Sequence, residues 1–210
     1  HLGVLFFLNH KSVFKKGVPP WGPLARAARK EGTMFDMDKL DWPFSMTLPH
    51  STGARLYELA NNHMWRTKFA FTNWNSRTTG FLQPPSGGKS GGEEDWINYT
   101  FGQYYTLLNA GFPLVPTAGT ANGVHPVPAG FSRVYVHQPK GFSYEGWIDG
   151  LKKGRSFVTT GPMLFAKVNG QQSGARFELG KGDGELIVTG EIISERPQSF
   201  IEIVVNGSPV

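Results

Sequence analysis

Apolar residues along this chain form two successive patterns. Up to about residue 162, apolar runs of strand length alternate with segments of helical periodicity, which is typical of an α/β domain. The first run, "LGVLFFL", is apolar at nearly every position, so we expect this strand to be buried on both faces. The predicted strands are residues 2–8, 33–37, 54–60, 112–118, 132–138 and 156–160.

Three segments carry helix start and stop signals. Each has an N-terminal cap or an early proline, an apolar face, and a glycine where the helix should end. The signal residues are Pro23 and Gly32 in the first segment, Asp95 and Gly111 in the second, and Ser143 and Gly154 in the third. Residues 74–94, which precede the second segment, are rich in glycine, proline and serine, and this composition predicts a surface loop.

From residue 163 onwards, the pattern changes to strands that are separated by turns. No helical segment lies between these strands, so we predict an α/β domain over 1–162 and an antiparallel β domain over 163–210. Two of the strands end in the hairpin signal Val-Asn-Gly. A β-sandwich has about seven strands, so we expect only part of one and a chain truncated at both ends. The predicted strands are 163–170, 175–179, 184–192 and 200–207.

Composition limits the available chemistry. The 210 residues include no cysteine, which leaves histidine and carboxylates as the strong candidate metal ligands. The net charge of +5, from 21 basic and 16 acidic residues, mildly favours anionic partners. No aromatic-basic motif accompanies this charge, so we do not expect nucleic-acid binding. No apolar run approaches the ~18 residues that a membrane span needs, so we expect no membrane insertion.

Two aspartates occupy alternate positions at the end of the second predicted strand. Asp36 and Asp38 are separated by Met37, so in extended geometry both side chains point to the same face. Two carboxylates on one face repel each other unless a cation offsets them, which indicates a site for a hard metal ion or for acid–base chemistry. A solvated turn with an aspartate cap is the alternative.

A polar cluster lies at the end of the third predicted strand and just after it. Glu58 lies within that strand, and Asn62 and His63 come just after it. A buried glutamate is rare unless it is paired, and Arg55 or Arg66 could pair with Glu58. The polar cluster also suits contact with a sugar or a phosphate, so Glu58 and Asn62 are candidate substrate contacts. His63 could ligate a metal or act as a general base. The alternative for His63 is a structural histidine at a helix start.

Four segments of the chain together resemble a known family. In chain order they are "LLNAGFPLVPTAGT", "SRVYV", "WIDGLKKGRSFVTTGPML" and "VNG", and they resemble the metal-dependent hydrolases of the polymerase-and-histidinol-phosphatase superfamily, closest to its carbaryl-esterase-like branch. This resemblance implies a partial distorted (β/α) barrel over 1–162 and a portion of an antiparallel β-sandwich over 163–210. It also implies a divalent metal (Zn, Mn or Fe) at the strand ends, and a His-x-His pair upstream of His1.

The resemblance further implies which residues would hold that metal. His1 matches a ligand position just before the first strand, and Asp36 and Asp38 lie where the family has a histidine. In the loop after the fourth strand, Ala121 takes the position of a ligand aspartate, and alanine cannot coordinate a metal. His125, further along this loop, could replace the missing ligand. If it is instead a surface histidine, the metal could be absent.

Three more positions match the family's anion- and substrate-binding residues. Arg155, near a helix end, is a candidate catalytic residue that stabilises an anion, and Arg133 is a candidate substrate contact. Thr160 ends a strand that the family directs at the site, so its hydroxyl is a further candidate substrate contact. The alternatives are that the arginines tie loops and that the threonine packs within its strand.

Two functions remain open from the sequence. The first is a metal-dependent, hydrolase-like protein that cleaves an ester or a phosphoester with a metal-activated water. The second is a non-catalytic module that binds carbohydrate or protein on the same scaffold. The expected ligand is a small molecule, a carbohydrate or a phosphate. An incomplete barrel leaves strand edges uncovered, which predicts either a homodimer or a fold that covers those edges internally. The resemblance alone favours an exported or periplasmic protein.

Overall fold

The structure, a computed structural model, describes residues 3–15, 19–38, 40, 42, 44–65, 93–123, 126–180, 182 and 184–210. The predicted loop over residues 74–94 lies outside this part of the chain, except for its last two positions, which belong to a helix. His1 and His125, both predicted metal ligands, also lie outside it.

Helices and strands alternate through the first part of the chain, as predicted. The helices are α1 Trp21–Lys30, α2 Leu48–Thr52, α3 Glu93–Asn109 and α4 Tyr144–Lys152. The strands are β1 Val4–Leu8, β2 Met34–Asp38, β3 Leu56–Ala60, β4 Val115–Ala118, β5 Arg133–Val136 and β6 Ser156–Thr159. Asp95 lies inside α3 rather than at its N-cap, so that predicted cap is wrong. Within the described residues, no helix is both long and apolar enough to cross a membrane.

Strands β1 to β4 form a four-stranded sheet in chain order. Strands β2, β3 and β4 run parallel, whereas β1 pairs antiparallel with β2 at the edge of the sheet. The prediction that β1 is buried on both faces is wrong. The face that carries Phe6 is incompletely covered, and the Phe6 side chain is 45% exposed.

The two faces of this sheet differ because side chains alternate along each strand. Phe35, Met37 and Tyr57 are buried on one face, where they join the core that α1, α2 and α3 cover. Each such large apolar side chain contributes about 1.5–3 kcal/mol when fully buried. Asp36 and Asp38 point to the other face, as their spacing predicts. One alternating sequence therefore builds an apolar core and a polar cavity on opposite sides of the sheet.

Strands β5 and β6 form a separate antiparallel pair, and α4 lies between them in the chain. Helix α4 begins at its predicted cap, because Ser143 Oγ accepts a hydrogen bond of 2.9 Å from Gly146 N. Gly154 follows the helix with a φ of +70°, the left-handed conformation that glycine adopts most readily. The described residues thus form a mixed α/β fold with several sheets, and no barrel closes among them.

The strands from residue 163 onwards are antiparallel. They are β7 Met163–Val168, β8 Gln171–Gln172, β9 Val188–Ile193, β10 Val204–Val205 and β11 Ser208–Pro209. Both predicted hairpins are confirmed, since Asn169-Gly170 and Asn206-Gly207 have the positive φ angles of a two-residue turn. Residues 175–179 form no strand, so that prediction is wrong. The predicted sandwich is not confirmed, because these strands form a three-stranded sheet and a separate hairpin.

Candidate functional site

A cavity of about 330 Å³ lies on the polar face of the four-stranded sheet, toward the carboxyl ends of the parallel strands. Its lining includes three carboxylates, Asp36, Asp38 and Glu58, together with Asn62 and Thr117. All five residues are buried, with exposed fractions of 8% or less. Acidic residues are rarely this buried unless they are paired or functional. This carboxylate cavity is therefore the candidate site.

Strand register brings these side chains together. Glu58 in β3 lies opposite Thr117 in β4, so both side chains point to the same face. Thr117 Oγ1 also donates a hydrogen bond of 2.7 Å to Asp36 Oδ1, which belongs to β2 on the far side of β3. In a flat sheet, two strands separated by a third lie about 10 Å apart. The sheet must therefore curve toward the cavity for this bond to form.

Asp36 is a carboxyl group that can hold a proton at neutral pH. Burial raises the pKa of Asp36 from 3.8 to about 7, the hydrogen bond from Thr117 opposes this rise, and the negative charge of Asp38 adds to it. General acids and bases work best when their pKa lies near the ambient pH. Asp36 is therefore suited to proton transfer.

Gly119 allows the loop after β4 to approach Glu58 closely. A methyl group added at Gly119 would lie 3.2 Å from Glu58 Cδ and 3.2 Å from Glu58 Oε2. The Gly119 N–H donates a hydrogen bond of 3.0 Å to the carbonyl of Ala60, which holds the loop against the end of β3. Because Gly119 has no side chain, the Glu58 carboxylate can lie directly against the loop.

Hydrogen bonds fix the rest of this loop against its neighbours. Ser132 N donates to Thr120 Oγ1 at 3.2 Å, and Ser132 Oγ donates to the carbonyl of Asn61 at 3.1 Å. These bonds tie the segments that follow β3 and β4 to the segment that precedes β5. Ala121 lies in the wall of the carboxylate cavity. The position where the resemblance implies a missing ligand therefore belongs to the cavity.

Apolar side chains complete the wall of the carboxylate cavity. Trp147 and Leu151 come from α4, and Phe6 and Leu8 come from β1. Phe6, Leu8 and Leu151 have no polar side-chain atoms, so they cannot replace the hydrogen bonds of water. The apolar wall is therefore part of the reason that burial dominates the pKa of Asp36.

Arg155, Arg133 and Thr160 lie outside the described lining of the carboxylate cavity. Arg155 Nη2 contacts Asp149 Oδ2 at 2.7 Å in a groove that starts near the amino ends of β4 and β6. Arg133 and Thr160 are exposed, and the described lining of the carboxylate cavity does not include them. The backbone of His63 forms part of a single 3-10 turn after β3. The functional roles of these four residues stay predictions.

The donor atoms of the carboxylate cavity test the expected metal site. Its carboxylate oxygens suit hard cations such as Mn²⁺ better than they suit Zn²⁺. In the part of the chain that the structure describes, however, no three His, Asp or Glu residues are grouped so that they could hold a metal ion. Asp36, Asp38 and Glu58 alone therefore do not complete such a site. His1, His125 and the side chain of His63 lie outside the described atoms.

Three residues contribute to the cavity in ways that the sequence does not predict. Thr117 is the only hydroxyl-bearing residue in the apolar strand segment 112–118, and Gly119 follows that segment directly. A polar position inside an apolar strand is the available signal for Thr117. A glycine at the end of that strand is the available signal for Gly119. Trp147 offers no such signal, because an aromatic residue on a helix face ordinarily indicates core packing.

Together, the fold and the cavity define a mixed α/β protein with a buried carboxylate site on a curved, mainly parallel sheet. Comparisons of the chain with family models, with curated proteins and with solved structures find no match. Function must therefore be inferred from the geometry of the cavity.

Proposed function

We propose that the carboxylate cavity is the active site of a hydrolase that cleaves an ester or a phosphoester of a small molecule. The supporting observation is Asp36, a buried carboxyl group with a pKa of about 7 in a cavity that also contains Asp38 and Glu58. Carboxyl groups in unequal environments are a common basis for acid–base catalysis. The cavity, at about 330 Å³, also has the volume of a small-molecule site.

In the proposed reaction, Asp36 donates its proton to the leaving oxygen as the ester bond breaks. A water molecule attacks the acyl carbon or the phosphorus, and the carboxylates of Asp38 and Glu58 are the candidate acceptors of its proton. Thr117 donates to Asp36 Oδ1, and the backbone of Met37 also donates to this carboxyl group. The apolar wall from α4 limits the access of bulk water.

A divalent metal, Zn, Mn or Fe, belongs to this proposal through the resemblance. When bound, such an ion would lower the pKa of a water molecule and so supply the nucleophile. Asp36 and Asp38 would contribute ligands, with His1 and His125 as the additional ligands that the resemblance implies. A positive charge beside Asp36 would favour its ionised form. Titration of Asp36 therefore distinguishes a proton-donor role from a metal-ligand role.

The second candidate function is carbohydrate binding without catalysis. Trp147 shares the lining of the cavity with the three carboxylates. An aromatic face combined with buried hydrogen-bond acceptors suits the apolar and hydroxyl-bearing sides of a sugar ring. Ala121, which supplies neither a metal ligand nor a proton acceptor, is also compatible with a site that binds and does not cleave.

Hydrolysis of chromogenic substrates tests the enzyme proposal. The protein is assayed with p-nitrophenyl acetate, p-nitrophenyl phosphate and bis(p-nitrophenyl) phosphate. Each assay is run on protein as isolated, after chelation, and with added Zn²⁺, Mn²⁺ or Fe²⁺. We expect turnover of at least one substrate, with kcat/KM reduced about 100-fold or more by Asp36→Asn or Glu58→Gln. The matched control is Glu195→Gln, which removes the charge of an exposed glutamate outside the cavity.

Chelation separates the two forms of the enzyme proposal. Activity that is lost on chelation and restored by one ion supports metal assistance, whereas activity that resists chelation supports catalysis by the carboxyl groups alone. The absence of turnover under every condition, together with sugar binding that Trp147→Ala weakens, would contradict both the metal-assisted and the metal-free form of the enzyme proposal. That result would support the carbohydrate-binding function.

A further inference from the structure

A second cavity, of about 240 Å³, lies at the other end of the parallel strands. Met34 and Leu56, the first residues of β2 and β3, are part of its lining. The carboxylate cavity lies toward the opposite ends of the same strands. This basic cavity is defined by Arg29, Arg55 and Lys152, together with Thr33 and Gly53.

The charge in the basic cavity is of one sign. Arg29, Arg55 and Lys152 all line it, and no acidic side chain belongs to its described lining. None of the three forms a salt bridge with an acidic residue in the described part of the chain. Like charges around one small space repel each other, and a bound anion would convert that repulsion into attraction.

Gly53 makes room for one of these cations. Gly53 caps α2 with a φ of +73°, and a methyl group added there would lie 2.5 Å from Arg29 Nη1. The guanidinium of Arg29 therefore packs directly over the bare backbone of the cap. This packing limits the positions open to a side chain that would otherwise extend freely into solvent.

Thr33 lies in the lining of the basic cavity, but its hydroxyl oxygen is closed to solvent. Its side chain is 6% exposed, and its Oγ1 has no hydrogen-bond partner among the described residues. A buried hydroxyl without a partner costs about 1–3 kcal/mol. Arg29 and Lys152 lie in the last turns of α1 and α4, where a basic side chain is favourable without any ligand. That explanation does not cover Arg55.

We propose that the basic cavity binds the phosphoryl group of a small phosphorylated molecule. Arginine guanidinium groups bind phosphate oxygens through paired, charge-assisted hydrogen bonds, and lysine adds a point charge. The volume of about 240 Å³ suits one tetrahedral oxyanion with part of its carrier. Thr33 Oγ1 is closed to solvent, so the proposed phosphoryl contacts come from the three basic side chains. This site is separate from the carboxylate cavity, so it stands whether or not that cavity catalyses hydrolysis.

A larger groove provides space for the rest of the ligand. Arg55 and Lys152 also line this groove of about 1130 Å³, which continues past Gln171 and Gln172 of β8. Its lining also contains Asp149, which pairs with Lys153 and Arg155. The amide groups of Gln171 and Gln172 can donate to or accept from hydroxyls. We therefore infer a phosphate monoester with a polar, hydroxyl-bearing body, such as a sugar phosphate.

Ligand titrations at constant ionic strength test this site. Inorganic phosphate, glucose 6-phosphate and chloride are titrated into the protein, and affinity is measured by calorimetry. We expect phosphate to bind, glucose 6-phosphate to bind more tightly, and chloride not to compete. Arg29→Gln, Arg55→Gln and Lys152→Gln should each weaken phosphate binding at least tenfold, because each removes a charge-assisted contact.

Matched variants keep the result interpretable. Arg29, Arg55 and Lys152 are exposed, so their substitution leaves the buried core intact. The control Arg196→Gln removes an equal charge from an exposed loop and should change phosphate affinity less than twofold. Equal losses in Arg55→Gln and Arg196→Gln would overturn the proposal, since binding would then follow net charge alone. Tighter binding of a single-stranded oligonucleotide than of glucose 6-phosphate would overturn it as well.

Discussion

Thr117 and Asp36 are hydrogen-bonded across an intervening strand, with 2.7 Å between Thr117 Oγ1 in β4 and Asp36 Oδ1 in β2. Both side chains are buried. The bond requires the sheet to curve toward the cavity, and it stabilises the ionised carboxylate that burial disfavours. The protonation of the candidate acid therefore depends on a contact between two strands that are not neighbours in the sheet.

Replacing Thr117 with valine should change both the free energy of unfolding and the pKa of Asp36. Thr117→Val keeps the shape of the side chain but removes the donor, so we expect the free energy of unfolding to fall by about 1–3 kcal/mol. The pKa of Asp36 should rise further, because the hydrogen bond that opposes burial is lost. Urea unfolding measures the first effect, and carboxyl ¹³C NMR titration measures the second. Thr117→Ser keeps the hydroxyl and should preserve the pKa. An unchanged pKa in Thr117→Val would contradict this account.

The stability of the protein should fall as pH rises through neutrality. Folding raises the pKa of Asp36 from 3.8 to about 7, so folded Asp36 binds its proton more tightly than unfolded Asp36 does. The stabilisation that this proton provides is complete below about pH 4 and is lost as pH rises through about 7. The full change from this group is on the order of 4 kcal/mol.

Asp36→Asn isolates this contribution. The amide oxygen still accepts the hydrogen bond from Thr117, but the side chain has no proton to lose. We therefore expect the variant to match the wild type near pH 4 and to exceed it in stability at pH 8. Urea unfolding at pH 4, 5, 6, 7 and 8 measures the difference, with Glu195→Gln as an exposed control. Parallel stability curves for wild type and Asp36→Asn would refute the raised pKa.

Local chemistry explains which features of the site could be predicted from the sequence. The common face of Asp36 and Asp38 follows from strand alternation, and the start of α4 follows from its Ser143 cap. Both features depend on residues that are neighbours in the chain. The hairpin at Asn169-Gly170 is predictable for the same reason.

The features that escaped prediction depend on distant parts of the chain. The bond from Thr117 to Asp36 spans 81 positions and requires a curved sheet, which no local pattern specifies. The apolar residues of β1 predict a buried strand. Its actual burial depends on which parts of the chain cover the edge of the sheet. Residues 175–179 alternate like a strand but lack a pairing partner among the described residues.

Ser143 should contribute measurably to stability through α4. Ser143 Oγ accepts the Gly146 N–H at 2.9 Å, and its removal leaves that donor without a side-chain acceptor at the start of the helix. We expect Ser143→Ala to lower the free energy of unfolding by about 1 kcal/mol. Ser143→Asp, which supplies an equally good cap, should retain most of the stability. Chemical denaturation of the three proteins compares them, and equal loss in both variants would show that capping is not the cause.

The contact between Gly119 and Glu58 should govern the carboxylate cavity. The methyl group of Gly119→Ala would lie 3.2 Å from Glu58 Cδ and Oε2 and 3.3 Å from Oε1. Gly119 does not have a positive φ, so alanine causes no backbone strain there. Because Glu58 is buried, the expected effect is crowding of its carboxylate. We expect a loss of about 1–3 kcal/mol in stability, as in other overpacked sites, and at least a tenfold loss in hydrolytic kcat/KM.

A double-mutant cycle assigns this loss to the contact itself. Glu58→Asp shortens the side chain by one methylene, so Gly119→Ala should cost less in that background than in the wild type. Gly161→Ala is the control, since nothing lies within 4 Å of the position that its methyl group would take. Denaturant unfolding of the four proteins in the cycle gives the interaction energy. Strictly additive losses would mean that Gly119 does not set the position of Glu58, and the loop after β4 would then have to act on the cavity through another residue.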